Sequence, residues 1–136
     1  MRTGAVLTIA ALVVAMAGGG QAQDLEAGEE LFMDHCVQCH GADGKGDGPM
    51  AEMLAITTPD LTTISARNGG TFPTAAVAEQ IDGRARVLAH GGDMPLFGPF
   101  LETDQHVPLR LPSGQTMMTG LPLANVMVYL ESIQTD

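Results

Sequence analysis

The chain has 136 residues, enough for one domain, and its 16 acidic against 6 basic residues leave a net charge of −10. That balance excludes a nucleic-acid binder, which needs a basic footprint. With 17 glycines, 8 prolines and no tryptophan, the sequence predicts short helices and tight loops around a thin core, which a large apolar cofactor would complete.

The first segment reads as an export signal. Met1-Arg2-Thr3 carries one positive charge, Gly4 to Ala17 is an apolar run of 14, and small and polar residues follow. Gly20 and Ala22 fit the small residues of a cleavage site, so residues 1–22 form a signal peptide and 23–136 the mature domain. The run falls short of the roughly 18 residues a spanning helix needs, so no stable membrane insertion is expected once the signal is cleaved. The expected destination is the periplasm.

Asp24 predicts the cap of a first helix running through His35, with Glu26, Glu29 and Glu30 near its positive end. Leu25, Gly28, Phe32 and Cys36 fall on one face of it. Then comes Cys36-Val37-Gln38-Cys39-His40, which contains the chain's two cysteines. A thioredoxin-like pair needs a preceding strand and a βαβ pattern, and this stretch predicts a helix. A structural zinc site needs four ligands, and no second cysteine pair exists. C-x-x-C-H is the attachment signature of c-type haem. The two thiols add across the two vinyl groups on one edge of the ring, and His40, next along the turn, presents its imidazole to the iron.

Gly41 to Pro49 (GADGKGDGP) follows. It is not a phosphate loop, since Gly46 stands where Ser or Thr is needed. Nor is it a calcium loop, since Lys45 and Leu54 fall on ligand positions. Its glycines let the chain turn tightly beside a cofactor. Thr58-Pro59-Asp60 turns the chain and caps a short helix near 61–66, which Asn68-Gly69-Gly70 ends. Thr74 is expected to cap another helix over 75–81, with Val77 and Ile81 inward and Gly83 closing it.

A six-coordinate haem needs a second axial ligand, and methionine is the typical choice in small carriers. Of nine methionines, Met1 and Met16 leave with the signal, Met33 and Met127 sit on helices, and Met50 and Met53 follow the haem motif too soon. Met94 lies in HGGDMPLFGPF, 54 residues after His40, with Gly91 and Gly92 before it and Pro95 after it. Leu96, Phe97 and Phe100 suit the face of a porphyrin. Met94 is the leading ligand, Met117 or Met118 the runner-up, and His90 or His106 would give bis-histidine ligation. Val107, Leu109 and Leu111 alternate, Pro112-Ser113-Gly114 reads as a turn, and Thr116 to Met118 returns, so a short β-hairpin is expected near 107–118. Residues 122–134 predict the clearest helix, with Pro122 in its first turn and Leu123, Val126, Leu130 and Ile133 on one face.

On these motifs the mature chain resembles a class I c-type cytochrome, a small monohaem periplasmic protein. The resemblance implies a mainly α fold of short helices around one covalent haem held through Cys36 and Cys39. It implies His40 and Met94 as axial ligands. It also implies that the Pro49 carbonyl accepts the Nδ1–H of His40, and that Gly28 and Phe32 pack on Tyr129 of the last helix. The hairpin between Phe100 and Leu121 departs from the plain family core. Electron transfer is the expected function, with no enzymatic activity. The acidic surface favours redox partners with basic docking patches. Two other readings are a haem subunit of a larger oxidoreductase, and a haem protein binding a small ligand at an open sixth site.

Overall fold

The structure is a computed structural model that describes residues 22–84 and 94–135. The expected signal peptide therefore lies outside the described residues, apart from Ala22. The described part is mainly helical, with one two-stranded antiparallel sheet, and none of its helices is long and apolar enough to cross a membrane.

Helix α1 spans Leu25–His35, and Asp24 caps it, its Oδ1 accepting from the Ala27 N–H at 3.1 Å. Gly28 and Phe32 are buried, but Leu25, on the same predicted stripe, is exposed because it sits at the open first turn. Helix α2 is the single turn Val37–His40. The chain then passes through the glycine loop and a 3-10 turn at Ala51–Met53. A second 3-10 turn, Leu61–Thr63, runs into helix α3, Ile64–Arg67. Asp60 caps that pair, accepting from the Thr62 N–H at 2.8 Å.

Helix α4 spans Thr74–Asp82 and closes on Gly83, whose φ of 88° is left-handed. Thr74 is not its cap. Pro73 occupies that position, and Thr74 lies inside the first turn with its hydroxyl 3.3 Å from Glu131 Oε1. The Thr74 hydroxyl instead ties α4 to the last helix.

Strands β1 (His106–Arg110) and β2 (Thr116–Gly120) form the expected hairpin, with Val107 opposite Thr119 and Leu109 opposite Met117. Val107, Leu109 and Thr119 face inward, so the period-two alternation is real. The strands extend to His106 and Gly120, and β2 runs straight into helix α5, Leu121–Ser132.

Helix α5 is buried on more sides than its predicted stripe. Ala124 and Met127 are as buried as Val126 and Leu130, because α1, α4 and the hairpin all contact it. The α1–α5 crossing is the tightest joint. A Cβ at Gly28 would lie 2.1 Å from the Asn125 carbonyl oxygen, so the two backbones touch. Asn125 Oδ1 also accepts from the Asp24 N–H at 2.9 Å. Phe32 stacks on Tyr129 with ring centroids 5.1 Å apart. These contacts fix the direction in which α1 delivers the cysteine motif.

Candidate functional site

Helix α1 ends at His35, and the Cys36 N–H still donates to the Phe32 carbonyl at 2.8 Å. The backbone then turns once more, with the His40 N–H donating to the Cys36 carbonyl at 2.9 Å. That turn sets Cys36, Cys39 and His40 along one wall of a single cavity of about 420 Å³. The volume lies within the range of about 300–1,000 Å³ usual for small-molecule and cofactor sites. The remaining walls are apolar. Leu54 and Ile56 come from the segment after the first 3-10 turn, Leu61 and Ile64 from the capped turn, Val77 and Ile81 from α4, and Val126 and Leu130 from α5.

Both cysteines are free thiols. Burial pushes the Cys36 thiol up to about 11, with Cys39 beside it adding to the shift. A thiol–disulfide catalyst is served by a depressed thiol, and burial shifts Cys36 the other way. Among the described residues no group of three or more His, Cys, Asp or Glu side chains could hold a metal ion.

His40 is 8% exposed. Its Nδ1 lies 3.4 Å from the Pro59 carbonyl oxygen. A carbonyl can only accept, so Nδ1 carries the proton and the Nε2 lone pair is left for a metal. Burial pulls the His40 pKa below its ordinary value, with the Pro59 carbonyl opposing. Burial and the Pro59 contact together favour a neutral imidazole with its proton on Nδ1.

The acceptor is Pro59, not Pro49. The expected acceptor was Pro49, which is exposed and belongs to a different turn. The glycine loop folds back onto the motif's own carbonyls, with the Gly48 N–H donating to Cys39 at 3.1 Å and the Met50 N–H to Gln38 at 2.8 Å. A Cβ at Gly48 would lie 2.5 Å from the Val37 and Gln38 carbonyl oxygens, so only glycine permits this return. The loop therefore carries Pro49 along the outside of α2. The chain comes back to the imidazole ten residues later, at Pro59.

Asp60 holds that second turn. Its Oδ1 accepts from both the Thr62 N–H and the Thr62 hydroxyl, at 2.8 and 2.6 Å, and these bonds hold its carboxyl below the usual range. Arg67 closes the turn from the other side, donating to the Asp60 carbonyl at 2.8 Å and to the Thr63 hydroxyl. Arg67 also lines the cavity, where it is the one permanently charged side chain among the described lining residues. Thr58 lines the cavity too, and its buried hydroxyl has no partner among the described residues. The sequence signalled Thr58-Pro59-Asp60 only as a turn, and Arg67 not at all.

Met94 is half-buried, packs against the core and lines the same cavity as Cys36, Cys39 and His40. Met117 packs against the core elsewhere, Met118 is 58% exposed, and neither lines the cavity. Met127 is fully buried. No hairpin residue lines the cavity, and neither do Leu96, Phe97 and Phe100, which the sequence places on the porphyrin. His106 is exposed on β1. His90, Gly91 and Gly92 lie outside the described residues.

The donor set and walls fit a haem. Two thiols on one short turn could take the vinyl groups, an imidazole and a thioether could supply a borderline and a soft ligand, and apolar walls suit the macrocycle. Arg67 and the orphaned Thr58 hydroxyl suit its carboxylates. A family model described as Cytochrome c matches residues 25–106, from the first residue of α1 to the first of β1. No curated protein matches the chain, and no solved structure does.

Proposed function

The chain belongs to the cytochrome c family, a haem c electron-transfer protein with its cofactor bound covalently through Cys36 and Cys39, and from that premise we propose that it is an exported one-electron carrier with His40 and Met94 as axial ligands. The observation that carries this reading is the presence of Met94 and His40 in one cavity lined by both cysteines. The bound haem supplies a one-electron couple between ferric and ferrous iron. The protein supplies position and environment. His40, held by Pro59, presents a lone pair without needing to reorient. The apolar walls would keep water away from the metal, and Met94 would hold the site an added ligand needs. With His40 and Met94 both holding the iron, the protein would act as a carrier rather than an enzyme.

Export rests on the N-terminal pattern of one positive charge, a 14-residue apolar run and small residues around Ala22. The periplasm is the compartment this favours. The net charge of −10 favours partners with basic docking patches, and encounter rates with them fall as ionic strength rises. Carbon monoxide tests the ligation. The reduced holoprotein resists CO if Met94 holds the sixth position, and rapid CO binding would contradict the proposal in favour of an open site.

A further inference from the structure

Met94 needs something to hold it, and the chain that follows it is anchored twice. The first anchor is backbone. The Phe97 N–H donates to the Ile81 carbonyl at 3.0 Å, and the 3-10 turn Gly98–Phe100 then closes with Leu101 N–H donating to Phe97 at 3.1 Å. This fixes the segment against the C-terminal end of α4.

The second anchor is aromatic. The His35 ring lies 6.1 Å from Phe97 and 5.9 Å from Phe100, and the two phenylalanine rings are 6.2 Å apart. All three pairs are tilted and fall within the centroid range over which such rings attract. His35 is the last residue of α1 and the neighbour of Cys36. Phe97 follows Met94 by three residues. The cluster therefore bridges the segment bearing one proposed axial ligand to the helix that delivers the cysteines and the other.

Folding alone gives little reason for this arrangement. Phe100 is 68% exposed, so its ring gains little from burial, and His35 is half-buried. We propose that His35, Phe97 and Phe100 form a clasp that keeps the Met94 segment closed against the cysteine-bearing end of α1, with His35 and Phe100 as positioning residues for the axial methionine. The inference rests on Met94 being that ligand. A clasp on the surface controls how often the segment opens while contributing little to the stability of the core.

The test uses the oxidised holoprotein, with imidazole as the probe. Imidazole enters only when the methionine leaves, so its binding rate reports opening of the segment. The far-red sulfur-to-iron charge-transfer band reports the methionine itself. His35→Ala and Phe100→Ala should each show the band before imidazole is added, keep a thermal midpoint near wild type, and bind imidazole about tenfold faster. His35→Phe should return the rate toward wild type, because it restores a ring at the same place. Wild-type rates in both alanine variants would overturn the clasp and leave Met94 ligation standing. A wild-type protein without the band would overturn the ligation, and the clasp with it.

Discussion

Gly28 and Asn125 meet backbone to backbone: a Cβ at Gly28 would stand 2.1 Å from the Asn125 carbonyl oxygen and 3.1 Å from Tyr129 Cβ. The first and last helices cross at this point, and the direction of α1 beyond it decides where Cys36 emerges. Gly28→Ala gains helix propensity, worth up to about 1 kcal/mol. It also forces a rigid backbone contact apart, and overpacking of this kind costs about 1–3 kcal/mol. The expected result is a net loss of stability, read as a lower denaturant midpoint. A midpoint equal to or above wild type would mean that the helices separate without cost.

Asp60 gives the turn behind His40 a pH dependence. Its carboxyl pKa is lowered from 3.8 by the Thr62 hydroxyl first and the Thr62 N–H second. A carboxyl depressed in the folded state contributes stability above its unfolded value, and that contribution is lost as pH falls through the folded one. Asp60→Asn keeps a capping side chain but has no charge to lose. Thermal midpoints measured from pH 5 down to pH 2 should therefore fall more steeply in the wild type than in Asp60→Asn. Parallel curves would show that this carboxylate does not stabilise the turn.

Arg67 puts the one permanent positive charge among the described residues lining the haem cavity. A cation there opposes the extra positive charge of the ferric state. Arg67→Gln should lower the reduction potential by an amount on the order of tens of millivolts, with the haem still attached. An unchanged potential would mean that solvent screens the guanidinium from the iron.

Much of this fold was legible in the sequence because its signals are local. Asp24 and Asp60 act as caps, Gly83 ends its helix and Pro112-Ser113-Gly114 turns the hairpin, each through chemistry confined to a few residues. The cysteine motif was legible for the same reason, since one helical turn decides where both thiols go. The acceptor for His40 was not. Pro49 and Pro59 both follow the motif, and the choice between them depends on Gly48 backing onto the Val37 and Gln38 carbonyls, a contact that spacing does not encode. Arg67 was missed because a lone arginine after a short helix looks like any solvated charge. It faces the cavity because Asp60 and Thr63 hold it there. Thr74 looks like a cap in the sequence because its partner, Glu131, lies 57 residues away.

Met94 shares its cavity with Cys36, Cys39 and His40, whereas Met117 and Met118 do not. The central claim is that Met94 completes the coordination opposite His40. The most direct measurement is the far-red absorption of the oxidised holoprotein, in wild type and in Met94→Ala. Ligation by Met94 predicts a sulfur-to-iron charge-transfer band in the wild type and its loss in the variant. A band that survives in Met94→Ala, or a wild type that never shows one, would contradict it.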